Sequence, residues 1–381
     1  MQSMSRLLRG CFVVVLACPL AACLAQAPGI VVHEPLDLQV VQRRDDGTAD
    51  MRIAGRLAGL DGGGTVLEAR LVGGTADGGW QPLAVEDGGR GFVGSLHAPA
   101  GGWYRLDVRA SRAGSVVAET AVQRVGVGEI FVVAGQSNSA NYGESRQQPR
   151  ADRVVSRDAS RWQVARDPQP GAGGSGGSFM PPLGDALVAA LDVPVGFVAC
   201  GLGGTSVREW LPEGSRFPHP PTVEQRVRRL AEGGWESDGR AYATLVTLMK
   251  QLGPRGFRAV LWHQGESDAN QQDPTRTLPG ALYREYLGTI IRGSRADIGW
   301  DAPWFVAQAT YHVPGDESSP DIRAAQAAVV ADGVAVAGPD TDALKESLRE
   351  RDGAGVHFSD AGLKAHAAAW ADILVPWIRS R

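Results

Sequence analysis

Cysteine is scarce in this chain: there are four in 381 residues, and three of them stand at positions 11, 18 and 23. Once the N-terminal three are removed or modified, Cys200 alone remains, which excludes a disulfide-stapled fold. Metal-binding patterns are missing as well. No HExxH, CxxC or DxDxDG loop occurs, so no motif calls for a metal or another cofactor. Basic residues are not in excess, with 38 Lys and Arg against 42 Asp and Glu, a formal charge of -4. That balance argues against a nucleic-acid partner.

The first residues read as an export signal. Arg6 and Arg9 precede a largely apolar segment from Cys11 to Ala22, too short for a comfortable membrane span, and small residues follow. Leu20-Ala21-Ala22-Cys23 has the form of a bacterial lipobox. It makes residues 1–22 a lipoprotein-type signal peptide and Cys23 the lipidation site. The competing cut after Ala25-Gln26-Ala27 would leave Pro28 first, which the ordinary signal peptidase tolerates poorly. The expectation is an exported protein, periplasmic or at the surface of a bacterial envelope, whose membrane contact is an N-terminal lipid. Removing Arg6 and Arg9 makes the formal charge -6.

About 355 residues then remain, enough for two domains at roughly 100–200 residues each. Across residues 30–125 short alternating runs (Leu36, Leu38, Val40; Leu67, Ala69, Leu71; Tyr104, Leu106, Val108) are broken by Asp-Gly and Gly-Gly turns. This is the pattern of a small antiparallel β-sandwich domain, placed at 28–126. Beyond it, strand candidates at Val193–Ala199, Ala259–Trp262, Trp304–Ala309 and Val334–Ala337 alternate with helix candidates at Leu183–Leu191, Tyr242–Gln251, Ala281–Ile291 and Ile322–Ala331. Such alternation predicts an α/β domain over 127–381, with a parallel sheet and helices on both faces. In the final helix Leu363, Ala367, Trp370 and Leu374 share one side and Ser359 is the N-cap candidate. Glycine is plentiful, at 50 residues, and Pro170–Gly177 reads as a mobile loop near the pocket.

The most informative stretch runs from Val132 to Asn141. A buried-type apolar run stops at Gly135 and delivers Gln136-Ser137-Asn138, placing a serine at the carboxyl end of a strand, where open α/β sheets bind ligands. A lone Gly-x-Ser is weak evidence. Two later segments strengthen it: Ala259–Asp268, in which an apolar run ends in His263-Gln264-Gly265-Glu266-Ser267-Asp268, and Gly355-Val356-His357-Phe358-Ser359 just before the last helix. Taken in order, GQSN, GGTS (203–206), WHQGESD and GVHFS-x-x-G resemble the SGNH hydrolases, and most of all their sialate O-acetylesterase and acetylxylan esterase branch. The resemblance spans about residues 127–381 and implies a three-layer α/β/α, flavodoxin-like domain.

Carried onto this chain, the resemblance makes Ser137 the nucleophile and His357 its general base. It puts the oxyanion hole at the N–H of Ser137, the N–H of Gly204 (with Gly203 a close rival) and the side-chain amide of Gln264. The chemistry is consistent, since serine needs a base within reach and preorganised donors at the oxyanion supply about 3–4 kcal/mol each. The third triad member is less plain. Relatives commonly carry Asp three residues before the histidine, and Ala354 stands there. Asp352 and Glu266 are therefore rival candidates for the acid.

Weaker candidates surround these. Gln136, His263 and Asp340 are assigned to substrate binding, the last beside Asp342 in a Pro- and Asp-rich turn. Arg323 and Gln326 share a helix face and suit a structural or pocket-rim role, while His366 reads as surface or packing. His33, His97, His219 and His312 fit no ligand pattern. The expected activity is removal of O-acetyl groups from an acetylated glycan or sialic acid. Two alternatives are a surface polysaccharide-binding lipoprotein without turnover and an O-acetyltransferase using the same acyl-enzyme.

Overall fold

The computed structural model describes residues 27–60, 63–74, 76–86 and 90–381. The expected signal peptide and Cys23 lie outside them.

The N-terminal part is built of β1 (Gly29–Glu34), β2 (Gln39–Gln42), β3 (Thr48–Ala58), β4 (Thr65–Gly73), β5 (Ala76–Asp77), β6 (Gln81–Val85), β7 (Gly91–Pro99), β8 (Gly101–Arg112) and the first half of β9 (Ser115–Gly135). Antiparallel pairing runs β1-β3-β7-β6-β4-β8-β9. Alternating residues of these strands, among them Met51, Ile53, Leu71, Phe92, Leu96, Tyr104, Leu106 and Val108, turn into one core. Each fully buried side chain of this kind contributes about 1.5–3 kcal/mol.

The remainder holds β10 (Val154–Arg157), β11 (Trp162–Val164), α1 (Met180–Leu191), β12 (Val195–Ala199), β13 (Arg216–Phe217), β14 (Val227–Arg229), β15 (Trp235–Ser237), α2 (Arg240–Gln251), β16 (Ala259–His263), α3 (Gly280–Ile298), β17 (Trp304–Gln308), α4 (Pro320–Ala331), β18 (Val336–Asp340) and α5 (Asp360–Arg379). Parallel pairing runs β10-β12-β9-β16-β17-β18, with β11 antiparallel at the edge beside β10. Along β9 and β16 successive residues face opposite cores. Val132, Ala134, Val260 and Trp262 meet residues of α2, α3 and α4, whereas Phe131, Val133, Ala259 and Leu261 meet residues of α1 and α5. The chain is thus an α/β protein with a mixed sheet. The four expected strands and four expected helices are present, and α3 continues seven residues past its expected end, through Arg292 to Ile298.

β9 joins the two parts without a break. Residues 115–124 are largely exposed or half-buried, and from Val125 to Gly135 every residue is buried. Residues 125–128 run between antiparallel β8 and parallel β2, and from Glu129 onward the neighbours are parallel β12 and then β16. At the junction, Glu129 is wholly buried and accepts hydrogen bonds from Gln42 Nε2 (2.9 Å), Arg43 Nε (2.6 Å) and Arg258 Nε (2.7 Å). Arg258 also reaches Asp45 at 2.6 Å. One carboxylate therefore ties the segment after β2 to the feet of β9 and β16.

The segment Pro170–Gly177 is not the free loop expected from its composition. It lies against Asn141–Ser145, with Asn141 N donating to Gly173 O (2.9 Å), Gly176 N to Asn141 O (2.8 Å) and Gly143 N to Gly177 O (2.9 Å). A Cβ on Gly177 would stand 2.0 Å from Ser145 O. Here glycine serves close backbone approach rather than freedom.

Candidate active site

At the upper end of β9 the chain leaves the sheet at Gly135, with φ +127°. A Cβ there would stand 2.1 Å from the carbonyl oxygen of His263. Only glycine lets β9 end flush against β16. Gln136 N donates to that same carbonyl at 2.9 Å, and Ser137–Ser139 form a single 3-10 turn steadied by Ser139 Oγ on Gln136 O (2.7 Å). Ser137 is held at 5 % exposure on the floor of an open cleft of about 440 Å³. Gln136, Tyr142, Gly204, Glu266, His312 and His357 share its lining.

Opposite the turn, Gly204 takes φ +71° in the loop after β12, which is anchored by Leu202 N on Gly135 O (2.9 Å). Buried Asp268 holds the far side of that loop, accepting from Ser206 Oγ (2.6 Å), Val207 N (2.8 Å) and Arg208 Nη2 (3.3 Å). Neither the N–H of Ser137 nor that of Gly204 has an acceptor among the described residues. Two unused backbone donors thus line the cleft.

His357 arrives on a short hairpin. Glu350 N donates to His357 O (2.9 Å), and Arg349 and Phe358 form an antiparallel bridge. The pairing sets Glu350 Oε1 3.0 Å from His357 Nδ1. A carboxylate only accepts, so Nδ1 carries the hydrogen and Nε2 of the neutral ring is left as the acceptor. Tyr142 stacks on the imidazole, centroids 5.5 Å apart. Beneath the hairpin, buried Arg349 donates to Thr341 O (2.8 Å), Leu344 O (2.6 Å) and Val356 O (2.8 Å), with its guanidinium between the rings of Tyr311 and Phe358 at 4.0 and 4.3 Å. Burial lowers its pKa to about 10.

A second histidine–carboxylate pair lies under the serine turn. His263 Nε2 meets Glu266 Oε1 at 3.1 Å, and His263 Nδ1 meets His366 Nε2 at 3.2 Å. Trp370 Nε1 donates to that same His366 nitrogen (3.0 Å), which is therefore an acceptor, so His263 donates through both of its ring nitrogens. Burial drives His366 well below the ordinary imidazole pKa. Burial also pushes Glu266 up, but the charge and hydrogen bond of His263, with help from Asn138, outweigh it and bring Glu266 down to about 2. Asn138 Nδ2 donates to Glu266 Oε1 (2.9 Å) and Val356 O (3.3 Å). The residue after the serine thus joins the turn to the base's hairpin.

A family model described as carbohydrate esterase, sialic acid-specific acetylesterase matches residues 127–374. The chain belongs to that carbohydrate esterase family. Among solved structures, a carbohydrate acetylesterase from Xanthomonas citri is 19 % identical, covering 91 % of this chain and 74 % of its own, with TM-score 0.51. NanS is 16 % identical over 66 % of this chain and 98 % of its own (TM-score 0.48), and an Arabidopsis thaliana protein 18 % identical over 64 % and 96 % (TM-score 0.44). At 19 % identity the likeness to the Xanthomonas citri enzyme is one of fold. No curated protein sequence matches the chain.

The structure of this family member brings Ser137, His357, Gly204 and Gln136 into one cleft, with Gly204 rather than Gly203 on the lining. It separates others. Asp352 is exposed at the hairpin tip (φ +54°) and Glu266 is committed to His263 and Asn138, so neither expected acid is the hydrogen-bonded partner of His357; Glu350 is. Gln264 does not line the cleft, because its amide is spent on Asp268 Oδ2 (2.6 Å), Thr205 O (3.2 Å) and Gln136 Oε1 (3.3 Å). His263 lies beneath the cleft. Asp340 is bound bidentately by Arg323 (2.7 and 2.8 Å), which also reaches Asp342 (2.8 Å), away from the lining. Gln326 braces Gln264 O (3.1 Å), a structural role, and His366 is packing rather than surface.

Glu350, Arg349, Tyr142 and His312 were not singled out for the site from the sequence. His312 pairs with Asp316 (2.7 Å) and Glu266 O (2.6 Å) at the cleft wall. The one available signal was the turn sequence Asp352-Gly353-Ala354-Gly355 between Glu350 and His357, which closes a hairpin and sets the two face to face.

Proposed function

We propose that the protein is a serine esterase that removes O-acetyl groups from carbohydrate, with a sialic acid or another acetylated glycan as substrate. The observation that carries the assignment is the meeting, in one cleft, of Ser137, two unused N–H groups and a histidine whose Nδ1 faces a carboxylate. Ser137 Oγ attacks the acetyl carbonyl as His357 Nε2 takes its proton, and Glu350 stabilises the imidazolium that forms. The N–H groups of Ser137 and Gly204 receive the oxyanion. Collapse expels the sugar oxygen, which takes the proton from His357, and leaves acetyl-Ser137. Water, deprotonated by His357, then releases acetate and regenerates the serine.

A binding protein without turnover would be favoured by a His357 lacking an acid, and Glu350 at 3.0 Å from its Nδ1 weighs against that reading. Among the described residues, the cation-π cluster on the N-terminal sheet is no open sugar platform either, since Arg70 and Arg109 lie over Trp80 at 4.5 and 4.0 Å. An acetyltransferase would pass through the same acyl-enzyme, and the open cleft favours water as acceptor. We further infer a β-sandwich domain at 28–126, a flavodoxin-like catalytic domain at 127–381, and export as a lipoprotein anchored through Cys23 after cleavage of residues 1–22.

The deciding experiment compares soluble protein from residue 24 onward with Ser137→Ala and His357→Ala on p-nitrophenyl acetate, acetylated xylan and O-acetylated sialic acid. Each substitution is expected to cost roughly 10⁴- to 10⁶-fold in kcat. Equal acetate release by all three proteins would sink the assignment.

A further inference from the structure

With Gln264 held on Asp268, the cleft lacks the side-chain donor expected of its oxyanion site. The amides and ring N–H groups on its wall are mostly committed. Gln271 Nε2 donates to Glu266 O (2.9 Å) and Ala269 O (2.5 Å), and both nitrogens of His312 are engaged. Gln136 differs. Its Oε1 accepts from Ser267 N (3.0 Å), Gly265 N (3.4 Å) and Gln264 Nε2 (3.3 Å). Two of these donors are backbone N–H groups, so they fix which end of the amide is oxygen. Its Nε2 has no acceptor among the described residues, and the side chain lines the cleft beside Ser137 and Gly204.

We propose that Gln136 Nε2 is the third oxyanion donor of this enzyme, and so a catalytic residue, taking the place that Gln264 vacates. The inference rests on the serine esterase reading above. Its physical basis is preorganisation: three N–H groups of the loop after β16 clamp Oε1, so the opposite end of the amide is aimed before substrate arrives and no reorganisation accompanies the reaction. Being next to the nucleophile in the chain, the donor also moves with it.

The test is Gln136→Glu, which keeps an acceptor for Ser267 N and Gly265 N and replaces the donor with a second, negatively charged acceptor. Steady-state kinetics on p-nitrophenyl acetate are read beside the affinity of a phenylboronic acid, whose tetrahedral adduct on Ser137 mimics the intermediate, and beside the melting temperature. The expected result is a loss of about 100- to 1,000-fold in kcat with KM within about threefold, and boronate affinity falling with kcat. Gln136→Met, which removes the donor without adding charge, is read beside it in every case. If either folded variant keeps kcat or boronate affinity within about threefold of wild type, Gln136 is only a strut and the proposal is overturned. A wild-type protein inert toward the ester would instead overturn the esterase reading, and this inference with it.

Discussion

β9 and β16 lie side by side, and each end of the pair carries a buried glutamate in opposite condition. At the lower end, Glu129 has both oxygens bonded, to Arg43, Arg258 and Gln42. At the upper end, Glu266 has one oxygen bonded to His263 and Asn138, while Oε2 is buried without a partner among the described residues. Around it, among the described residues, the N–H groups of Ser137 and Gly204 and the amide nitrogen of Gln136 are also unused. Buried polar groups left unpaired are costly. A chain that completes its hydrogen bonds at one end of a sheet and withholds them at the other has reserved the second end for a ligand.

The contrast is sharpened most at His357, where the histidine hairpin offers two carboxylates of unequal standing. Glu350→Gln should lower kcat by roughly 10²- to 10⁴-fold, since the ring loses the group that sets its tautomer and steadies the imidazolium. Asp352→Ala should stay within about twofold. Equal losses in the two variants would mean that the tip acid reaches the ring during turnover, and a kcat preserved in Glu350→Gln would remove Glu350 from the mechanism.

At the lower end the effect should fall on stability alone. Glu129→Ala leaves Arg43 and Arg258 partly buried without their shared carboxylate, a change expected to cost about 3–5 kcal/mol. Denaturant unfolding would show it, while kcat per folded molecule should be unchanged because β9 is intact above Ile130. A fall in kcat at constant stability would show that the clasp communicates with the cleft.

The two ends were not equally legible in the sequence. Apolar runs ending in glycine or a polar cluster marked β9 and β16, and with them Ser137, because period and composition determine strand ends. His357 came from the resemblance carried by its GVHFS block, which stands just before a capped amphipathic helix. Side-chain destinations were less accessible. Gln264 and Glu266 stand at the strand end as expected, yet Asp268 and His263 claim them, a competition that depends on distances no spacing encodes. Glu350 was passed over because the search for an acid looked for a fixed offset from the histidine, whereas the structure uses cross-strand pairing in a hairpin. The glycines of 170–177 misled for a related reason: composition reports freedom or close approach with the same letter.

Two carboxyl groups at the upper end should also bound stability in pH, in opposite directions. Glu266 sits at about 2 in the fold against an ordinary 4.5, so its stabilisation is complete above about 4.5 and fades as pH falls toward 2. That limb is worth on the order of 3 kcal/mol, and in Glu266→Gln the gap to wild type should narrow below about pH 4.5 and close only as pH nears 2. Glu209 behaves inversely. It caps the turn after the Gly204 loop, accepting from Ser206 N (2.8 Å), while its Oε1 is buried without a partner, and burial raises it to about 8. The folded state therefore keeps a proton that the unfolded chain has lost, and the benefit present below about 4.5 is gone once pH passes 8. Glu209→Gln keeps the acceptor for Ser206 N and removes the titration. It should melt above wild type at pH 8 by the equivalent of about 4 kcal/mol, and the two curves should converge as pH falls to about 4.5. Parallel curves across that range would mean that Glu209 is ionised in the fold, paired with a cation such as Arg226, and that the upper end of the sheet carries one more satisfied charge than the contrast with Glu129 allows.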